Sequence, residues 1–259
     1  MATTDTEPSS TKKRSVALGS RLATWGAAVA LPIMGLANLS EAVLLLEEGR
    51  DKVISTFTHI PEYEDLSYLK VGTTSEFVKH IFAMPQVRRS LNNGISADYY
   101  FDEKYLLTVL IKNEEVRGYT ILSLNESFHP SVFEDKSQEF ALGEFTFEGA
   151  PGLPRDFRVD WTKTLGLYIE EMDLGLKSLG KNAFLGRLTY GASTSDPAVI
   201  GGLYNAMILD ETIKLERARR QVRENLMPNL YGWGDVSLET IEASFLTTSQ
   251  FGNYAAAYQ

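Results

Sequence analysis

Cysteine is absent from all 259 residues. That excludes disulfides, lipid attachment through a thiol, thiolate metal sites and a cysteine nucleophile. Histidine is scarce: His59, His80 and His129 are the three in the chain, and none stands in a metal-binding spacing such as H-x-x-x-H. Basic residues are also in deficit, with 25 Lys and Arg against 34 Asp and Glu and a formal net charge of −9. Phosphate neutralisation needs clustered cations, so this balance argues against nucleic acid as a partner. No pattern implies a cofactor or a resident metal, and the sequence assigns neither.

What is present is an apolar content of 44%, enough to bury a sizeable core. The polar opening, residues 1–20, reads as a disordered tail. Residues 21–50 read as a membrane-anchor helix: from Leu22 to Ser40 there is no charge, and the apolar pattern continues through Leu46. Nineteen helical residues span about 28 Å, close to the hydrocarbon thickness of a bilayer. Lys12, Lys13, Arg14 and Arg21 precede the segment and acidic residues dominate after it. That asymmetry predicts a single membrane pass with the N-terminus in the cytoplasm and the main domain outside it. Pro32 within the segment and Glu41 at its end leave open a second role, oligomerisation of this helix to disrupt a membrane.

In the stretch "LKVGTTSEFVKHIFAMPQ" (69–86), Gly72 punctuates and Thr73 with Glu76 fits a capping box. Phe77, Val78, Ile81 and Phe82 share one helical face, and Pro85 ends the helix. Strand-like runs follow at 97–101, 104–112 and 116–124, the last two joined by a short turn at 113–115. The expected unit, 51–130, is a short helix packed on a three-stranded antiparallel meander. Residues 131–259 read as a mixed but mainly helical α+β region. Within it, 142–149 reads as a strand, 162–180 as interrupted helix, 203–226 as the clearest helix of the chain, and 230–235 as a glycine-aromatic turn before a helix from about Ser237.

Leu66 to Val71, Gly72, Thr73 and Thr74, a helix centred on Val78, and Phe82 with Pro85 form one motif. Strands holding Tyr99, Tyr100, Leu107, Val109, Val116 and Ile121 follow it. Residues 66–122 thereby resemble the SmpA/OmlA (BamE-like) family of small bacterial envelope modules. Ala83 stands where that family has glycine, and no cysteine is present for lipidation. The resemblance implies a binding or scaffolding module of the envelope, not a catalyst, and with the anchor helix it implies a single-pass place in the inner membrane of a bacterium. The expected partner is another envelope protein or envelope component, with the bilayer engaged through residues 22–46 and oligomerisation left open.

Two clusters carry candidate function. "YIEEMD" (168–173) places Glu170 and Asp173 three residues apart with Glu171 adjacent. Paired carboxylates serve acid–base chemistry when burial separates their pKa values, which defines a hydrolase alternative. Read on a helix surface they form instead a partner-facing cluster with Tyr168. "LYGWGD" (230–235) lets Tyr231 and Trp233 stand out from a tight turn, where exposed aromatics mark a binding surface and buried ones lock the C-terminal region to the core. The candidate partner-binding residues are therefore Tyr168, Glu170, Glu171, Tyr231 and Trp233. The basic residues of 203–226 form a salt-bridged face that also suits an acidic partner.

Overall fold

A computed structural model describes residues 59–133, 140–178 and 180–258. Contacts divide the chain at Pro61, and Glu62–Gln259 form one compact unit. Two short helices, α1 (Ile60–Ser67) and α2 (Ser75–Phe82), lead into β1 (Val87–Ser90), β2 (Ser96–Phe101), β3 (Tyr105–Lys112) and β4 (Glu115–Ser123). A two-stranded ribbon, β5 (Ser131–Val132) and β6 (Phe140–Ala141), separates these from β7 (Leu153–Trp161), β8 (Gly166–Asp173) and β9 (Asn182–Leu188). Two helices, α3 (Ala198–Ile208) and α4 (Thr212–Asn225), precede β10 (Leu230–Gly234), and α5 (Leu238–Ser244) and α6 (Thr248–Tyr258) close the chain.

Eight strands form one antiparallel sheet in the order β1-β2-β3-β4-β10-β9-β8-β7. Each half is a meander, and the halves meet where β10 pairs with both β4 and β9. Asn113 and Glu114 both hold positive φ, 53° and 60°. That is the two-residue reverse turn whose twist matches a tight hairpin, so β3 and β4 pair directly.

Both sheet faces are covered, and this sets the strand composition. On one face Leu107, Val109, Ile121, Tyr168, Leu185 and Tyr231 pack with Leu66 of α1, Val78 of α2, Leu203 of α3 and Val222 of α4. On the other, Tyr99, Leu110, Ile169, Phe184 and Leu230 pack with Leu238 and Ile241 of α5. Each fully buried aliphatic or aromatic side chain contributes roughly 1.5–3 kcal/mol. With both faces buried, β3 is buried at every position from Tyr105 to Ile111 and is apolar at all of them but Thr108, instead of alternating.

The structure corrects several expectations. The meander is not a three-stranded unit beside a mainly helical region, because one sheet takes four strands from 87–123 and four from 153–234. Within 162–180 the expected interrupted helix is replaced by strand β8 and a single 3-10 turn at Gly175–Ser178. The strand's period of two was masked because Leu167 and Ile169 enter one core while Tyr168 and Met172 enter the other. Residues 230–234 are a central strand, not a turn. Residues 142–149 form turns, docked by Gly143 N–H to Pro228 O and Phe147 N–H to Leu226 O. The helix expected over 203–226 is two, broken where Asp210 takes a φ of 52°. Thr74, not Thr73, caps α2, accepting a hydrogen bond from Phe77 N–H at 3.2 Å.

Among the described residues no helix is long and apolar enough to cross a membrane. The transmembrane, single-pass inner-membrane placement is therefore withdrawn. The segment 22–46 on which it rested lies outside the described residues.

Candidate functional site

Alternation along β8 sends Tyr168 and Glu170 to the face beneath α3 and α4, and Glu171 to the opposite face. Glu170 is fully buried. The Tyr168 hydroxyl donates to its Oε1 at 2.5 Å, Arg219 Nη2 approaches the same oxygen at 3.4 Å, and Arg223 Nη1 binds Oε2. Arg223 also donates to the Phe147 carbonyl at 2.9 Å, and the Arg219 guanidinium lies 4.4 Å above the Phe157 ring. Burial, then the Glu170 charge, raises the Tyr168 hydroxyl pKa, which keeps it a donor. Both carboxylate oxygens are engaged, so the arrangement clasps α4 to the sheet. Removing one partner of such a buried pair costs about 3–5 kcal/mol.

The other acids of "YIEEMD" are drawn away. Arg155 donates to Glu171 and Asp173, each at 3.2 Å. The Gly175 N–H at 2.8 Å, then Arg155, holds the Asp173 carboxyl below its usual value. Tyr231 is buried, meeting Phe133 edge-on at 5.4 Å, and Trp233 is half-buried. Glu170 faces Leu185, and Leu185 faces Tyr231, in one row across the sheet. Four of the five sequence candidates thus share one face, with Glu171 on the other, and they do not converge on an opening.

A hollow lies at the end of the central strands, lined by Ser123, Asn125, His129, Leu142, Ser193 and Asn229 among others. Its free interior is about 30 Å³, the scale of a water or two. His129 Nδ1 lies 2.7 Å from the Leu142 carbonyl, which only accepts, so Nδ1 carries the proton. The Asn229 amide spans the backbone of Leu188, and Ser193 pairs with Ser195. These groups serve their own loops. Behind them Arg187 is 3% exposed, with its guanidinium on the carbonyls of Leu188, Gly191 and Ser195 at 3.2–3.3 Å. Burial pulls its pKa down to about 10. Arg187 thereby fixes the loop that walls the hollow.

Among the large hydrophobics that face solvent, four gather at the corner between α3 and α4. Gly201 seats α3 on β7, since a Cβ there would come within 2.7 Å of Trp161 Nε1. The clasp holds α4. Between these anchors Met207, Ile208, Leu209 and Ile213 are exposed by 39, 61, 65 and 86%. Lys214 pairs with Glu211 at 2.8 Å, while Asp210, Arg217 and Arg220 are exposed and make no ion pair among the described residues. Sequence reasoning missed this corner because it ran one helix through it. The available signal was "MILDETI", in which aliphatics flank two acids and then resume. Sequence reasoning also read Arg219 and Arg223 as part of a solvated, salt-bridged face, whereas both turn inward to Glu170, and their i, i+4 spacing beside Ala218 and Val222 was the signal for that.

No protein-family model matches the chain, and no curated protein matches it. Among solved structures the chain is similar to a cysteine-rich secretory protein from Staphylococcus aureus subsp. aureus Mu50. The identity is 11% over 70% of this chain, with a TM-score of 0.34. The aligned part is 48% of that structure, so this chain spans about half its length. A likeness of this size carries no inference, and it does not bear on the resemblance of residues 66–122 to the SmpA/OmlA family.

Proposed function

We propose that this protein is a non-enzymatic protein-binding module that docks its partner through the α3–α4 corner. The observation that carries the reading is the contiguous exposure of Met207, Ile208, Leu209 and Ile213 on a helix pair anchored at both ends. Isolated exposed aliphatics are ordinary, but a cluster on a rigid support marks an interaction surface. Rigidity favours binding, because little side-chain or loop entropy is lost on docking. The carboxylates at 170–173 support this reading over hydrolysis, since Arg155, Arg219 and Arg223 already occupy them.

A photoreactive side chain at position 213 tests the proposal in the cells that make the protein. The expected result is a protein adduct from position 213 and none from Leu176, which is 97% exposed on a different loop. Equal labelling from both positions, or no adduct from position 213, would remove the proposal.

A further inference from the structure

We infer that the partner of the α3–α4 corner is a second copy of this chain, paired about a two-fold axis near Ile213. The inference rests on the protein-binding reading above and goes further by naming the occupant. Charge complementarity around an apolar centre carries it.

A partner for this corner must supply three things. It needs an apolar surface for Ile208, Leu209 and Ile213. It needs an anion for Arg217, which shares the exposed stripe of Ile213 at i+4 and has no ion pair among the described residues. It needs a cation for Asp210, which stands at the tip three residues before Ile213, also unpaired among the described residues. Lys214 is already neutralised by Glu211. The corner itself offers all three. In an antiparallel pairing of two α4 helices crossing at Ile213, the tip that carries Asp210 in one copy is brought toward Arg217 of the other, and the relation repeats by symmetry. Arg217 lies one helical turn beyond Ile213, and Asp210 lies before the helix, in the turn at the tip, so acid and base flank the apolar centre on opposite sides. Two-fold interfaces are self-complementary in this way: residue i meets j, and j meets i.

A lipid surface fits less well. Asp210 projects at the tip between Leu209 and Ile213, where insertion would carry an unpaired carboxylate toward hydrocarbon. A single pair of corners makes a small interface, which points to a weak, concentration-dependent dimer.

Because the chain has no cysteine, Ile213→Cys supplies a lone thiol close to the proposed axis. Mild oxidation of the full chain is expected to give a covalent dimer from I213C several-fold faster than from L176C. Sedimentation velocity of the full chain is expected to show a monomer–dimer equilibrium. D210R and R217D, each at an exposed position, should weaken it at least about tenfold by setting like charges against each other. D210R/R217D together should restore it to within about threefold, because the reversed charges again oppose. Circular dichroism of each variant confirms the fold. A monomeric wild type, I213C no faster than L176C, or a double variant no better than its singles would each overturn the inference. Photo-adducts from position 213 to a different protein, with a monomeric wild type, would overturn the second copy yet keep the protein-binding reading. No adduct at all would remove both.

Discussion

Arg223 of α4 and Glu170 of β8, 53 residues apart in the chain, meet inside the protein as a hydrogen-bonded ion pair. A second cation, Arg219, approaches the same carboxylate, and the Tyr168 hydroxyl completes its partners. The arrangement ties the helical insert between β9 and β10 to the sheet, and the exposed corner depends on that tie. Glu170→Gln keeps the shape and removes the charge, leaving two guanidiniums partly buried around a neutral amide. The expected loss is about 3–5 kcal/mol in urea denaturation. Hydrogen exchange should show α4 losing protection before the sheet strands do. A loss below about 1 kcal/mol would mean that the clasp does not hold the helix.

Tyr100 is the reverse case. Its hydroxyl is buried with no hydrogen-bond partner among the described residues, and burial pushes its pKa up to about 12. Tyr99, whose hydroxyl donates to the Ser244 carbonyl at 2.6 Å, is pushed up to about 12 by burial as well. Both folded-state values lie above the unfolded value near 10. Their protonated forms therefore favour the folded state fully below pH 10, and that contribution is lost as pH rises from 10 through 12. Tyr100→Phe should flatten this alkaline limb and leave stability at pH 7 unchanged or raised by up to about 1 kcal/mol, since an unsatisfied hydroxyl is removed. Denaturation midpoints at pH 7, 10 and 11 check both effects.

The outer edge of β7 is blunted by its own side chains. Asp156 accepts from the Phe157 N–H at 2.8 Å, Arg158 donates to the Phe157 carbonyl at 2.9 Å, and the two side chains pair at 2.8 Å. Unpaired edge groups template the addition of further strands, and charged side chains are a common way to prevent it. Asp156→Ala with Arg158→Ala should leave the sheet intact and promote edge-to-edge association, visible as concentration-dependent light scattering at neutral pH. No change in scattering would show that α3, which packs on β7, protects the edge unaided.

At the end of α5, the Arg89 guanidinium reaches the carbonyls of Ala243 and Phe245, and Tyr99 reaches that of Ser244. A cation at a helix C-terminus satisfies orphan carbonyls and opposes the helix dipole. Arg89→Met should destabilise the protein by about 1–2 kcal/mol, with a loss of α5 protection in hydrogen exchange.

The legible parts of the sequence were those whose signals are local. The helix α2, the runs that become β2, β3 and β4, and the start of α5 at Ser237 all follow from neighbouring residues, although Thr74 takes the place of Thr73 as cap and Phe77 turns to solvent. The illegible parts depend on partners far along the chain. "YIEEMD" is acidic enough to pass for a surface helix until the arginines at 219 and 223 are known to sit over it. "LYGWG" looks like a turn because its glycines are conspicuous. Yet Gly232 lies between Thr120 and Phe184, and Gly234 lies against the Gly118 Cα, where neighbouring strands leave little room for a side chain. The break at Asp210 needs a residue in left-handed conformation that no glycine or proline announces. None of the five candidate residues was read on the strand that carries it, and the exposed corner was hidden inside an apparently continuous helix.

A docking surface is covered when its partner is bound, so the proposed docking predicts that the α3–α4 corner is shielded in the cell. Hydroxyl-radical footprinting in the cells that make the protein measures this, because Met207 and its aliphatic neighbours oxidise readily when open to solvent. Met207, Ile208, Leu209 and Ile213 are expected to be protected in cells relative to the dilute, isolated chain, while Leu153 and Leu176 react equally in both. Equal reactivity of the corner in the two settings would contradict docking there.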